Sequence, residues 1–262
     1  MNYACIIPCF NEGSRIKELI SELENLDYSY LDWFLVDNGS LDSSFDFIFK
    51  NNENKFYKNI NFIRKSTNEG YGKGIKYGLN QIKNFQKNKK TPDIIFNSFS
   101  NYVALGWTHA DGQTPVSDFI SATRQAYQIS TNEYLVKGIR NLREDGLIST
   151  ICTSFLNLII YSVFSSNCIN PNSQPTLISK DLLFRILDNA SNDACFDLSI
   201  LLESTKYKIS YSRFPVEFLK RKRGLGSNES IYQKLKYSNE LLIFLWNKRR
   251  FSKFYNIFRY DF

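Results

Sequence analysis

Histidine is almost missing from this chain: His109 is the only one among 262 residues. Any imidazole chemistry must therefore use that one position. Cysteine is sparse too, and the five present are Cys5, Cys9, Cys152, Cys168 and Cys195. Their number is odd, and Cys5 and Cys9 stand four apart rather than in a CxxC pair. This argues against a disulfide scaffold and against structural zinc. Residues 1–10 lack the basic start and long apolar core of a signal peptide. The expectation is a cytoplasmic protein with free thiols. There is no zinc-finger spacing, no RNP-type aromatic motif and no internal repeat, which turns the reading away from nucleic acid.

What is present is a core-forming and basic composition. Hydrophobic residues make up 43% and aromatics 16%, with a net charge of +7 and a pI of about 9.0. The length fits one large α/β domain, or one domain with an appended tail. The charge favours anionic partners such as nucleotide diphosphates, lipid phosphates or an anionic membrane.

Apolar runs and helical periods alternate along the chain. Strands are predicted at 3–7, 32–36, 60–63, 102–107 and near 134–136. Helices are predicted from Ser14, an N-cap candidate, to about Leu26, after Asp42, over 73–85 and after Pro115. This alternation predicts a parallel α/β sheet. No charged residue occurs from Gly146 to Ser179. Within that stretch, 147–164 reads as a helix with Thr150, Thr153 and Asn157 on one stripe. Leu147, Ile151, Phe155, Leu158 and Ile159 lie on another face. Either it lies on a membrane or over the active site, or it is an ordinary core helix. From 230 the character changes to mixed basic and aromatic, with Leu241–Trp246 followed by Lys248, Arg249, Arg250 and Lys253. Such a tail suits a membrane interface, or else packs on the domain. The domain reading is 1–229 with a tail at 230–262.

The motifs with chemistry stand at the ends of predicted strands. Trp107-Thr108-His109-Ala110-Asp111-Gly112-Gln113 follows an apolar run. In extended backbone His109, Asp111 and Gln113 share one face and could hold a divalent metal. The alternative is a polar turn closed by Pro115. Pro8-Cys9-Phe10-Asn11-Glu12 follows the first strand and Asp37-Asn38-Gly39-Ser40 the second. A carboxylate at Asp37 suits a nucleotide base or ribose. Asp42 reads as the cap of the next helix. Gly70-Tyr71-Gly72-Lys73-Gly74 opens a helix, where backbone amides and Lys73 could approach a pyrophosphate. Lys137, Arg140 and Arg143 form a basic cluster suited to phosphate.

In this order these segments resemble the family 2 glycosyltransferases of the GT-A fold. The likeness is to the branch of dolichol-phosphate mannose synthase and polyprenyl-phosphate sugar transferases, over roughly residues 3–225. The resemblance implies a Rossmann-like, mostly parallel central sheet flanked by helices, with a C-terminal amphipathic helical tail. It implies an inverting, hexosyl-type transferase, of the kind used in cell-surface polysaccharide synthesis. The sugar would pass from a nucleotide-diphosphate sugar to a polyprenyl-phosphate-type lipid.

Donor contacts carry over to Pro8, Asn11, Glu12, Asp37, Gly72, Lys73, His109, Ala110, Asp111 and Arg223. The last lies in the basic loop Lys220–Ser227, read as a diphosphate clamp. Metal ligands would be Asp111, Gln113 and His109, with Mg2+ or Mn2+. His109 replaces the first acid of the family's Asp-X-Asp pair. Acceptor-phosphate contacts would be Lys137, Arg140 and Arg143, and catalysis would rest on Asp111, Asp197 and Arg140. Asp193 is a helix cap. Thr176 stands where family members often have lysine, which removes an acceptor contact. The expected place is the inner face of the cytoplasmic membrane, bound peripherally. Rivals are a transferase extending a cell-surface glycan at a hydroxyl and a degenerate nucleotide-sugar binding protein. A nucleotidyltransferase would need a Gly-X-Gly-X-Arg loop after the first strand, which is not there.

Overall fold

The computed structural model describes residues 1–26, 28–50, 57–85, 94–97, 100–143, 147–164, 170–219 and 238–248. The strands are β1 (Asn2–Cys9), β2 (Leu31–Asn38), β3 (Ile60–Lys65), β4 (Ile94–Ile95), β5 (Tyr102–Trp107), β6 (Tyr134–Arg143), β7 (Thr176–Ser179) and β8 (Ser210–Phe218). The helices are α1 (Arg15–Glu24), α2 (Asp46–Phe49), α3 (Tyr71–Phe85), α4 (Asp118–Tyr127), α5 (Leu147–Phe164), α6 (Lys180–Ile186) and α7 (Phe196–Ser204). An eighth helix, α8, spans 238–248.

All eight strands form one sheet in the order β4-β3-β2-β1-β5-β7-β6-β8. β1, β2, β3 and β5 are mutually parallel, β7 runs against both β5 and β6, and β8 is parallel to β6. Only β4 and β7 therefore oppose the rest. The carboxyl ends of the other strands fall on one edge, and the start of antiparallel β7 joins them there. Strand order reverses beside β1, which is where open α/β sheets form a ligand crevice.

The sheet is buried on both faces, so its strands read as continuous apolar runs rather than alternating ones. In β1, Ala4 and Ile6 face a core shared with Ile75, Leu79 and Ile82 of α3, while Tyr3, Cys5 and Ile7 face Ile16, Leu19 and Ile20 of α1. Two predicted caps differ from expectation. Ser14 precedes α1 with helical backbone angles and makes no capping bond. Asp42 stands four residues before α2 and instead accepts from Ser44 N and Gly13 N. It thereby ties two loops together.

The uncharged segment 147–164 is helical as expected. Among the described residues no helix is long and apolar enough to cross a membrane. The domain boundary at 229/230 lies outside the described residues. Part of the tail is described, and there Leu241 and Leu245 are buried in the main core. Among the described residues Cys5, Cys9 and Cys195 are free and buried.

β5 crosses β7 at very close range. A Cβ added to Gly106 would lie 2.1 Å from Thr176 O and 2.9 Å from Leu177 Cα. Both neighbours are backbone in the middle of a sheet and cannot move aside cheaply. Gly106→Ala should therefore cost about 2 kcal/mol or more in urea unfolding, at the upper range of overpacking penalties. A cost below about 0.5 kcal/mol would show that the β5–β7 contact is looser than described.

Candidate active site at the carboxyl edge of the sheet

The loops after β1 and β2 are braced to each other. Asn11 adopts a left-handed φ of 54°. Its N–H donates to Ser40 Oγ (3.2 Å), and its Oδ1 accepts from Leu41 N (2.8 Å). Gly13 N donates to Asp42 Oδ2 at 2.8 Å. Glu12 is half-buried between these contacts. Asp37 is buried, and its carboxylate accepts from Ser40 N (2.9 Å) and from Arg64 Nε (3.2 Å). Arg64 in turn lies 4.1 Å over the Phe49 ring. Asp37 thus shapes its own turn and holds an arginine at the cleft. Pro8 sits inside β1, in register with Val36.

The glycine-rich segment differs from expectation. Lys73 N already donates to Asn192 O (2.9 Å), and Gly74 N to Gly70 O (3.1 Å). Lys73 Nζ pairs with Glu69 at 2.9 Å. A Cβ on Gly72 would meet Asn192 C at 2.8 Å and Asp193 O at 2.9 Å. The glycine lets α3 press on the 192–193 turn, so these two amides do not form an open phosphate cradle. The first turn of α3 still reaches the cleft through Tyr71, whose ring lies 5.4 Å from that of His109.

The strand-end motif is also rearranged. β5 stops at Trp107, and 110–114 form a bend rather than extended backbone. Gly112 has a φ of 75°, and Gln113 N donates to Asp111 Oδ1 at 3.0 Å. The alternate-residue argument for one shared face therefore fails, because it needs strand geometry. Gln113 is pinned to the end of β8. Its Nε2 donates to Leu219 O (3.3 Å), and its own carbonyl accepts from Leu219 N (2.8 Å).

Sequence reasoning missed Arg15, a buried residue of α1. Its Nε donates to Ala110 O (3.2 Å), while Nη1 and Nη2 grip Glu22 at 2.6 and 2.8 Å. The guanidinium also underlies Gly112, where an added Cβ would come within 3.4 Å of it. An arginine beside Glu18 and Glu22 reads in sequence as surface charge. Nothing local marks it as the brace of a loop 95 residues away.

On the other side of the cleft the charges converge. Lys137, buried in β6, donates from Nζ to Ser173 O (2.7 Å) and Thr176 Oγ1 (2.8 Å). Arg140 Nη2 donates to Asn172 O (2.9 Å), with its guanidinium 3.7 Å over the Phe218 ring. Asp197 is buried at the start of α7, and its Oδ1 accepts from Trp107 Nε1 (2.8 Å) and Gln174 Nε2 (2.9 Å). Asp193 Oδ1 accepts from Cys195 N (2.8 Å) just before α7, close to its expected capping role. His109 lies within electrostatic reach of Asp111, Asp197, Arg140 and Lys137. These five residues are therefore brought together. Asp37 and Glu12 stand at the β1–β2 side of the same edge. The side chain of Arg143 and all of Arg223 lie outside the described residues.

Residues 4–84 match the family described as Glycosyl transferase family 2. Beyond those residues what is shared with known proteins is the fold, a mostly parallel sheet flanked by helices of the GT-A type. No curated protein matches it in sequence. Among solved structures it is similar to glucosyl-3-phosphoglycerate synthase from Mycobacterium tuberculosis in complex with Mn2+, UDP and glucosyl-3-phosphoglycerate. That likeness has a TM-score of 0.64 and 12% identity, covering 95% of this chain and 79% of the other. It is also similar to a mannosyltransferase from Pyrobaculum calidifontis in complex with GDP-Man and Mn2+. There the TM-score is 0.54 and the identity 17%, over 85% of this chain and 58% of the other. At such identities the likeness is one of fold. The family match runs from β1 to α3, so it covers Pro8, Asn11, Glu12, Asp37, Gly72 and Lys73. The residues around His109 lie beyond it and rest on geometry.

Burial pushes the His109 imidazole below its ordinary 6.5, with Arg140 and Lys137 adding to the effect and Asp111 and Asp197 opposing it. The ring is thus neutral at pH 7. Because the unfolded chain binds this proton more tightly, stability falls as pH drops from 6.5 towards the folded value. His109 is the only histidine, so its proton NMR titration is unambiguous. The midpoint should lie below 6.5, and a midpoint at or above 6.5 would contradict this environment.

Proposed function

We propose that this glycosyltransferase moves a sugar, with inversion, from a nucleotide-diphosphate sugar to a polyprenyl-phosphate-type lipid, with help from a divalent metal. The observation that carries the acceptor choice is the Lys137–Thr176 contact. The lysine expected at 176 is absent, yet the buried Lys137 ammonium stands on Thr176 Oγ1 at 2.8 Å. Arg140, also on β6, donates to Asn172 O of the loop before β7. Two cations fixed by backbone carbonyls suit an anionic acceptor. Asp197 Oδ1 meanwhile is occupied by hydrogen bonds from Trp107 and Gln174. An ionised phosphate needs no base, whereas a sugar hydroxyl would.

The residues present fit a metal only in part. Among the described residues no group of three or more histidines, cysteines or acids could hold an ion. Asp111 and neutral His109 supply two donors, and Gln113, with its amide nitrogen tied to Leu219, offers only its oxygen. This set fits Mn2+ or Mg2+ if the donor's diphosphate completes the coordination. Mn2+ accompanies UDP in the Mycobacterium tuberculosis synthase and GDP-Man in the Pyrobaculum calidifontis mannosyltransferase. When bound, the metal neutralises charge on the leaving diphosphate. In the chain itself, Asp37 and Glu12 orient the nucleoside, and Arg15 fixes the loop carrying Asp111. Lys137 and Arg140 orient the acceptor phosphate for attack opposite the leaving group. A membrane-borne acceptor makes the enzyme peripheral on the inner face of the cytoplasmic membrane, with 230–262 as an appended tail.

The test is product formation from a panel of nucleotide sugars with polyprenyl phosphate or uncharged polyprenol. Transfer should require the phosphate. Asp111→Asn should lower turnover at least 100-fold, and Lys137→Met should raise the acceptor KM at least tenfold, about 1.4 kcal/mol of lost binding. Equal use of polyprenol would contradict the acceptor assignment, and normal turnover in Asp111→Asn would contradict the metal assignment.

A further inference from the structure

α5 sets Leu156, Ile159 and Ile160 against the core and still exposes further apolar side chains. Its apolar side chains Ile151 (59%), Phe155 (62%), Leu158 (62%) and Tyr161 (60%) are exposed. Its polar side chains are divided: Thr150 and Ser154 are exposed, whereas Asn157 is turned towards the domain. Asn157 Nδ2 donates to Asn170 Oδ1 at 3.0 Å, and Asn157 Oδ1 accepts from Asn170 N at 2.8 Å. Ile160 is buried below, so the helix is seated on the domain with Ile151, Phe155 and Tyr161 turned outwards.

α8 repeats the pattern. Leu241 and Leu245 are buried, Lys248 pairs with buried Glu203 at 3.0 Å, and Leu242, Ile243 and Trp246 are exposed. Of the twelve exposed large hydrophobics among the described residues, seven lie on these two helices. Both helices pack against the same core, so they cover the same face of the sheet. Exposed apolar side chains gathered in this way mark a docking surface rather than scatter.

The inner contact of α5 gives the surface a role. Asn170 adopts a left-handed φ of 54° and begins the loop that carries Asn172, Ser173 and Gln174. Those residues engage Arg140, Lys137 and Asp197. Asn157 therefore connects the exposed helix to the loop under the acceptor.

We propose that the outer faces of α5 and α8 dock on an anionic bilayer, and that Asn157 is a positioning residue holding the acceptor loop at that surface. The link to the acceptor rests on the lipid-phosphate reading above. The occupant is lipid because of charge and side-chain type. α5 carries no charge over 147–164, Trp246 and Tyr161 suit the headgroup zone, and α8 runs in sequence into Lys248, Arg249, Arg250 and Lys253.

The test uses the full chain and the triple variant Ile151→Glu/Phe155→Glu/Leu158→Glu, whose positions are exposed; unchanged melting confirms its fold. Wild type should sediment with phosphatidylglycerol vesicles and not with phosphatidylcholine alone, and the variant should bind at least tenfold less. Transfer to long-chain polyprenyl phosphate in vesicles should fall with it, while transfer to a short, water-soluble polyprenyl phosphate should not. Asn157→Ala should keep vesicle binding and raise the KM for both acceptors at least fivefold. Unaltered sedimentation of the triple variant would overturn the docking surface. So would wild-type self-association that the variant abolishes without any vesicle binding, which assigns the face to a second copy. An unchanged acceptor KM in Asn157→Ala would overturn the positioning role. Vesicle binding is read without turnover, so an inactive wild type would count against the acceptor reading alone.

Discussion

Asp197 accepts from the Trp107 indole at 2.8 Å and the Gln174 amide at 2.9 Å, in a place nearly closed to water. Through those two bonds the end of β5, the loop before β7 and the start of α7 are held as one unit. Both bonds are charge-assisted and therefore among the stronger in the fold. Losing the carboxylate would strand a buried indole N–H and a buried amide, each at about 1–3 kcal/mol. The rest of the cleft is arranged around this point. Tyr71 touches Gln174 through its hydroxyl and His109 through its ring, and Lys137 reaches the same loop from β6.

A second set of contacts fixes the opposite rim. Arg15 holds the carbonyl of Ala110, Gln113 caps the Asp111 carboxylate, and Leu219 brackets Gln113 from the end of β8. A segment with a left-handed glycine and no ladder of its own is thus held from α1 and β8. This is the usual arrangement for reactive groups on loops: a rigid scaffold places them, and the loop carries the chemistry.

β1, β2, β3, β5 and β6 were legible because both sheet faces are covered, which leaves runs such as Trp33–Val36 and Tyr102–Trp107 continuously apolar, whereas β4 and β7 are only two and four residues long and β8 mixes polar with apolar residues, and these three were not read as strands. α5 was legible in extent, since 147–164 has helical spacing and no charge. Its orientation was not, because periodicity shows that two faces differ but not which one meets the protein. The strand-end motifs all fall on one edge, since β1, β2, β5 and β6 all end there. Their detail was misread where backbone departs from strand. Extended geometry put His109, Asp111 and Gln113 on one face, yet the chain bends at Gly112 and Gln113 turns to Leu219. The glycines at 70–74 read as a phosphate loop, whereas Gly72 is small because Asn192 lies against it. Contacts between distant segments, such as Arg15 with Ala110, leave no local signal.

On the proposed reading, the carboxyl edge of the sheet binds a nucleotide diphosphate together with a metal on Asp111. Isothermal titration of UDP and GDP, with and without Mn2+, tests it most directly. Binding of at least one nucleotide should require Mn2+, and in Asp111→Asn it should be lost or weakened at least tenfold. Binding of the same strength without metal, or undiminished in Asp111→Asn, would contradict it.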